Sequence, residues 1–239
     1  MRTRYLALAL GMLVLLAGCV SPIQTTTAAD TTSTGTTVSA TRTGTVSTDA
    51  DLAVVSVAVI AEADSADVAR AQVATDVERM HTALRDAGIP DDAVTTSSFA
   101  IYQQYDYRDG EQVAMGFRAF HAFTIETAPA RAGEIVDLSV GSGATEVSGV
   151  TFTLSEETRA DLRAQAIQRA VTATRADADA MASVAGLSVT GIQTMSTSGG
   201  FTPVERFEQA ASDAGGAQTT FEPGPVTVSA TVEITYRAS

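Results

Sequence analysis

The chain has 239 residues, a formal net charge of −13, and 45% hydrophobic but only 5% aromatic residues, so any folded core must be aliphatic. All 15 cationic residues are Arg, and Lys, Asn and Trp are missing altogether. This balance argues against nucleic acid as a partner, because phosphate binding needs clustered cations. It suits a surface that works in high salt, where the screening length at about 1 M is roughly 3 Å and acidic self-repulsion costs little. GC-rich coding by itself also replaces Lys with Arg, so a halophilic, archaeal-type source and a GC-rich one both fit.

Residues 1–19 have the layout of a secretory signal. Arg2 and Arg4 precede an apolar run from Leu6 to Ala17, and small residues lead to Cys19. That run is too short for a membrane span, which needs about 20 residues. Leu16-Ala17-Gly18-Cys19 looks like a lipobox, at which the Cys is diacylated and the chain cut before it. The expectation is a signal peptide over 1–18, a lipid on Cys19, and a home on the extracytoplasmic face of the cell membrane. An uncleaved anchor, or an ordinary signal with a chance Cys, is the competing reading. Cys19 is the single Cys, so lipidation leaves no thiol for disulfides, thiol catalysis or metal. Arg2 and Arg4 are not adjacent, so twin-Arg export is not indicated.

Residues 20–37 are rich in Ser and Thr and cannot bury a core, so 19–37 reads as a lipidated tether. The domain follows over 38–239, with subunits at 38–128 and 129–239 as one division. Val38 to Val46 and Leu52 to Ala63 read as strands joined around Thr48-Asp49-Ala50-Asp51. Ser65 caps a helix to about Ala87, with Ala69, Val73, Val77, Met80, Leu84 and Ala87 as one apolar stripe. Gly88 and Pro90 stop it. Val94 to Tyr107 and Met115 to Thr127 read as strands of a hairpin turning at Arg108-Asp109-Gly110, with His121 on the apolar face of the second. Pro129 opens a short helix through Val140, and Glu146 to Leu154 is a strand. Ser155, followed by Glu156 and Glu157, starts an Ala-rich helix to about Ala185. Leu187 to Ser198 reads as a strand, 199–222 as an irregular excursion, and Val226 to Tyr236 as a closing strand. The order repeats at about 52–127 and 146–237: strand, long helix, strand, return strand. The expected fold class is α+β, two such units forming antiparallel-rich sheets with helices packed on one face.

Several short stretches together resemble the SIMPL-domain family of envelope proteins. They are Gly44 with Asp51-Leu52-Ala53, Ala87-Gly88-Ile89 with Thr95-Thr96, Tyr105-x-Tyr107, and Gly116-Phe117-Arg118-Ala119. Gly149-Val150-x-Phe152-x-Leu154-Ser155 and Pro223-Gly224 with Val226-x-Val228 complete the series. Ala50 stands where the family usually has Pro, and His121 about where it often has Asn. The resemblance implies an α+β fold, a role of the kind described as oxidative-stress defence and, in some members, a ring-like oligomer; it does not imply an enzyme.

Little in the chain points to catalysis. His81 lies beside the apolar stripe of the first helix and reads as a flank residue. His121 reads as buried and hydrogen-bonded. No His pair stands at metal-ligand spacing, so neither a metal nor a cofactor is expected. Gly141-Ser142-Gly143 lacks the outer spacing of a nucleophile elbow and reads as a helix-ending turn. Asp106, Asp109 and Glu111 are too sparse for a Ca²⁺ loop. Tyr102, Tyr105 and Tyr107 either meet a partner or cover a helix. The leading expectation is a non-enzymatic envelope lipoprotein in cell-surface maintenance or stress response, partnered by the membrane and by copies of itself. A solute-binding lipoprotein serving a transporter, with no ligand identified, is the alternative. A hydrolase based on His81 or His121 ranks last.

Overall fold

The computed structural model describes residues 35–108, 110–199, 201–202 and 218–239. The signal segment, Cys19 and the tether up to residue 34 lie outside the described residues, as do Asp109 of the hairpin turn and 203–217 of the excursion, Phe207 included. Gly35–Ser239 forms one compact unit.

The strands are β1 (Thr36–Thr48), β2 (Leu52–Ala63), β3 (Val94–Arg108), β4 (Glu111–Thr127), β5 (Glu146–Thr153), β6 (Val189–Ser198), β7 (Phe201–Thr202) and β8 (Val226–Ala238). The helices are α1 (Ala66–Asp86), α2 (Ala132–Gly141) and α3 (Glu156–Val184). One sheet runs β3-β4-β2-β5, and the other runs β1-β8-β6 with β7 beside β8. Every pairing is antiparallel. The molecule is thus α+β, with α1 and α2 on one face of the first sheet and α3 on one face of the second.

Local signals place most elements. Ser65 accepts a hydrogen bond from Val68 N at the start of α1, and Ser155 accepts one from Thr158 N at the start of α3. Gly88 follows α1 at φ +81°, a backbone state that costs glycine little. In the first core, Val55, Val57 and Val59 of β2 and Phe123 and Ile125 of β4 meet Val73, Met80 and Leu84 of α1 and Ile135 of α2. The alternation of each strand selects these residues, because opposed residues in an antiparallel pair share a face.

The sheets do not follow the internal repeat. β1 and β2 are separated by three residues yet enter different sheets. β1 pairs with β8 along its whole length, and β5 pairs with β2 rather than with the strands of its own repeat. Each sheet therefore takes strands from both sides of residue 128.

α3 presents Leu162, Ala166, Ala170, Thr174, Ala178 and Ala182 to the second sheet at steps of four. Small side chains along this ridge let the helix lie close to the strands. The closest approach is at Gly44, where a Cβ would stand 2.0 Å from Ala166 O. The charged flanks of α3 are tied down rather than merely solvated. Arg169 Nη1 donates to Thr45 O at 2.6 Å, Arg42 forks onto Asp177, and Arg163 Nη1 donates to Gly199 O at 3.2 Å. The far face of this sheet carries hydroxyl pairs, Ser39 with Thr235, Thr43 with Thr231 and Ser47 with Thr227, each within 2.9 Å.

The 199–222 stretch, expected to be irregular, contains β7 paired with β8, while its described end at 218–222 has no regular structure but is anchored. Asp137 of α2 accepts from Thr219 N at 3.0 Å and from Thr219 Oγ1 at 2.6 Å, and Phe221 packs against the first core beside Phe152.

Candidate functional site

Two features stand out from the packed body: a projecting hairpin and a groove beside α1.

β2 ends at Ala63, which pairs with Phe117 of β4. Beyond that point, from Gln104↔Gly116 to Arg108↔Glu111, β3 and β4 pair only with each other. They form a two-stranded arm. At its root β4 carries one extra residue, Met115, between the pairs Gln104↔Gly116 and Tyr105↔Ala114. Gly116 sits there at φ +108°, and a Cβ would come within 2.7 Å of Ala63 O. Only glycine lets the arm leave the sheet by this path.

Tyr105 and Tyr107 lie on one face of the arm, while Tyr102 lies before it, on the other face of β3 and opposite Arg118, which also pairs with Glu62 of β2. For Tyr105, Tyr107 and Tyr102 the exposures are 47%, 73% and 49%, so they cover none of the described helices. Val113 and Met115 add further exposed apolar surface. Tyr105 OH donates to Gln103 Oε1 at 2.7 Å, which holds that ring along the strand. A two-stranded ribbon is marginal alone in water, and large exposed apolar side chains on such a ribbon suit an interaction site. On the Tyr102 side, Glu62 Oε1 accepts from Gln104 Nε2 at 3.0 Å and from Arg118 Nη1 at 3.1 Å. Arg118 Nε is buried without a hydrogen-bond partner among the described residues.

The groove lies between α1 and the edge strand β3, above His121 of β4, and has a volume of about 360 Å³. Its walls include Val73, Val77 and His81 on the helix, with Phe99 and His121 on the sheet. The fold thus brings together the two His that the sequence treats separately. His121 is half-buried rather than buried, because α1 lies mainly over β2 and β4 and leaves β3 largely open; Phe99 is 52% exposed. His121 Nε2 stands 3.1 Å from Thr96 Oγ1. The His121 ring leans on Phe123 at 4.2 Å between centroids and meets Phe99 edge-on at 5.2 Å. His81 meets Phe123 edge-on at 5.2 Å. Burial, and then the nearby His81, push the His121 imidazole below the ordinary His range.

Other sequence candidates fall into structural places. Ser142 caps the end of α2, its N–H donating to Ser139 O at 3.2 Å. Gly143, at φ +131°, lets that turn press on Asp76 of α1. Asp91 lies 3.8 Å from Arg85, while Asp106 and Glu111 lie on the arm. Two of the motif pieces meet, since Asp51 accepts hydrogen bonds from Ser155. Sequence reasoning missed the groove because its walls come from three separate elements, α1, Phe99 of β3 and His121 of β4. The apolar spacing of Val73 and Val77 offered the one local hint. Among the described residues, no three His, Cys, Asp or Glu cluster as a metal site, and no helix is long and apolar enough to cross a membrane.

The family model described as SIMPL, a protein of unknown function (DUF541), matches residues 37–236. No curated protein matches the chain. The chain belongs to the SIMPL family.

Proposed function

We propose that this SIMPL-family chain is a non-enzymatic lipoprotein of the cell envelope. In this reading a diacyl lipid on Cys19 holds it to the extracytoplasmic face of the membrane, and copies assemble through the β3–β4 arm. Its work is cell-surface maintenance or stress response, in a high-salt habitat to which the Lys-free, acidic composition is suited. Burial of acyl chains contributes roughly 0.8 kcal/mol per methylene, so two chains anchor stably.

The observation that carries the assembly reading is the arm itself: Tyr105, Tyr107, Val113 and Met115 are exposed on a ribbon that, among the described residues, is backed by no third strand. Tyr is enriched at interfaces because it combines large contact area with a polar tip. Light scattering on the full chain, solubilised in non-ionic detergent at molar salt, tests this. An oligomer is expected, and Tyr105→Ser with Tyr107→Ser is expected to shift it toward the monomer. A wild-type chain that is strictly monomeric ends the assembly reading. Mass spectrometry of the native protein tests the anchor: the chain is expected to begin at Cys19 with acyl mass added, and a chain starting at Met1 with a free thiol contradicts it. A second reading, a solute-binding lipoprotein, is favoured by one observation, the groove along α1.

A further inference from the structure

The groove combines apolar walls with cationic side chains. Its floor and walls are apolar: Val73 and Val77 on the helix, and Phe99 across from them. Two guanidiniums line it, Arg70 and Arg85, against one carboxylate, Glu78, on a chain whose net charge is −13. The lining residues Arg70 to Arg85 span 15 residues of α1, about 22 Å at 1.5 Å per residue. The groove volume of about 360 Å³ is near the lower end of small-molecule pockets.

The two guanidiniums are not equivalent. Arg85 already lies 3.8 Å from Asp91 and donates to His81 O. Arg70 is exposed and forms no ion pair with any described residue. One unengaged guanidinium beside an apolar groove matches one anionic head followed by an apolar chain. A planar, singly charged carboxylate fits the two-pronged donor geometry of Arg. Glu78 in the same wall opposes a head of higher negative charge.

We propose that the α1 groove binds a free fatty acid, its carboxylate on Arg70 and its chain laid along Val73, Val77 and Phe99 toward the two imidazoles. This holds whether or not the chain assembles through its arm, which lies at the other end of β3 from residues 94–99.

The full chain, reconstituted in vesicles, can be photo-crosslinked with a diazirine-bearing fatty acid and mapped by peptide mass spectrometry. Labelled carbon is expected on the α1 segment 73–81 and on β3 around Phe99, displaced by excess unlabelled fatty acid. Arg70→Glu lies on the exposed side of α1 and leaves the buried stripe intact. It is expected to lower that labelling at least tenfold while circular dichroism is unchanged. The matching diazirine fatty alcohol, which has no charge, is expected to label the groove at least tenfold less. Labelling that is absent from the groove, indifferent to Arg70→Glu, or equal with the alcohol overturns the proposal.

Discussion

Asp51, in the connection between β1 and β2, holds the start of α3: its Oδ1 accepts from Ser155 N at 2.7 Å and its Oδ2 from Ser155 Oγ at 2.8 Å. Oδ2 also accepts from Thr158 Oγ1. A carboxylate here complements the positive end of the α3 macrodipole. Burial alone would raise the Asp51 carboxyl, but the hydrogen bonds from Thr158 and Ser155 outweigh it and hold the group below the usual range. The three-residue link that parts the two sheets is thereby tied to the helix that covers the second one.

Asp51→Ala is expected to cost about 1–2 kcal/mol, the usual range for losing a helix cap. The cost should be read by denaturant unfolding at neutral pH. Since the folded carboxyl is lowered, its contribution is complete above the ordinary Asp value of about 3.9 and is lost as pH falls through the lower folded value. The gap between the wild type and Asp51→Ala should therefore close in acid. A gap that stays constant from neutral pH down to about pH 2 contradicts this account.

Gly44→Ala should be far more damaging than its single added methyl suggests. The new Cβ would stand 2.0 Å from Ala166 O and 2.9 Å from Ala170 N, both backbone atoms of α3. Helix and strand must separate, at a cost of about 3 kcal/mol or more. Gly224→Ala, where nothing lies within 4 Å, is the control and should change stability by less than about 0.5 kcal/mol. Equal thermal shifts for the two variants would count against the close approach.

Two tyrosines separate packing from display. Tyr236 is 1% exposed, its OH donating to Thr174 Oγ1 at 3.4 Å, and Tyr107 is 73% exposed. Tyr236→Ala is expected to cost about 3–5 kcal/mol, as other large core truncations do. Tyr107→Ala should cost less than about 0.5 kcal/mol in unfolding of the monomer. A large loss for Tyr107→Ala under monomeric conditions would mean that the arm folds back on the body.

His121 should titrate below the ordinary His value of about 6.5. The groups around it are His81, Glu78 and Arg85 on the α1 wall, with Phe99 and Thr96 on β3. Because the folded ring holds its proton less tightly than the unfolded one, the unfolded chain takes up more protons once pH drops past about 6.5. This part of the stability is complete above that pH and is lost on the way down to the folded value. Proton NMR of the ring should give a midpoint under 6.5, and His121→Gln should flatten the stability profile across that window. A midpoint at or above 6.5 removes the effect.

Elements defined by local chemistry were legible before any fold was known. Ser65 and Ser155 mark helix starts because a hydroxyl satisfies a nearby N–H, and Gly88 marks a stop because it tolerates positive φ. The alternation in β2 and β8 assigns a buried face to each. The arm tyrosines were legible as residues on a hairpin, but their exposure was not, since it depends on where β2 stops.

By itself, the order of residues determined most of the strands and helices, the inward face of β2, of β8 and of α1, and the family to which the chain belongs. Only the tertiary structure decided that β1 crosses to β8, that Asp51 reaches Ser155, and that His81, His121 and Phe99 line one groove. The physical reason is that side-chain periodicity is a local property. Backbone donors and acceptors are alike in every strand, so the choice of neighbour is settled only when whole faces are buried together.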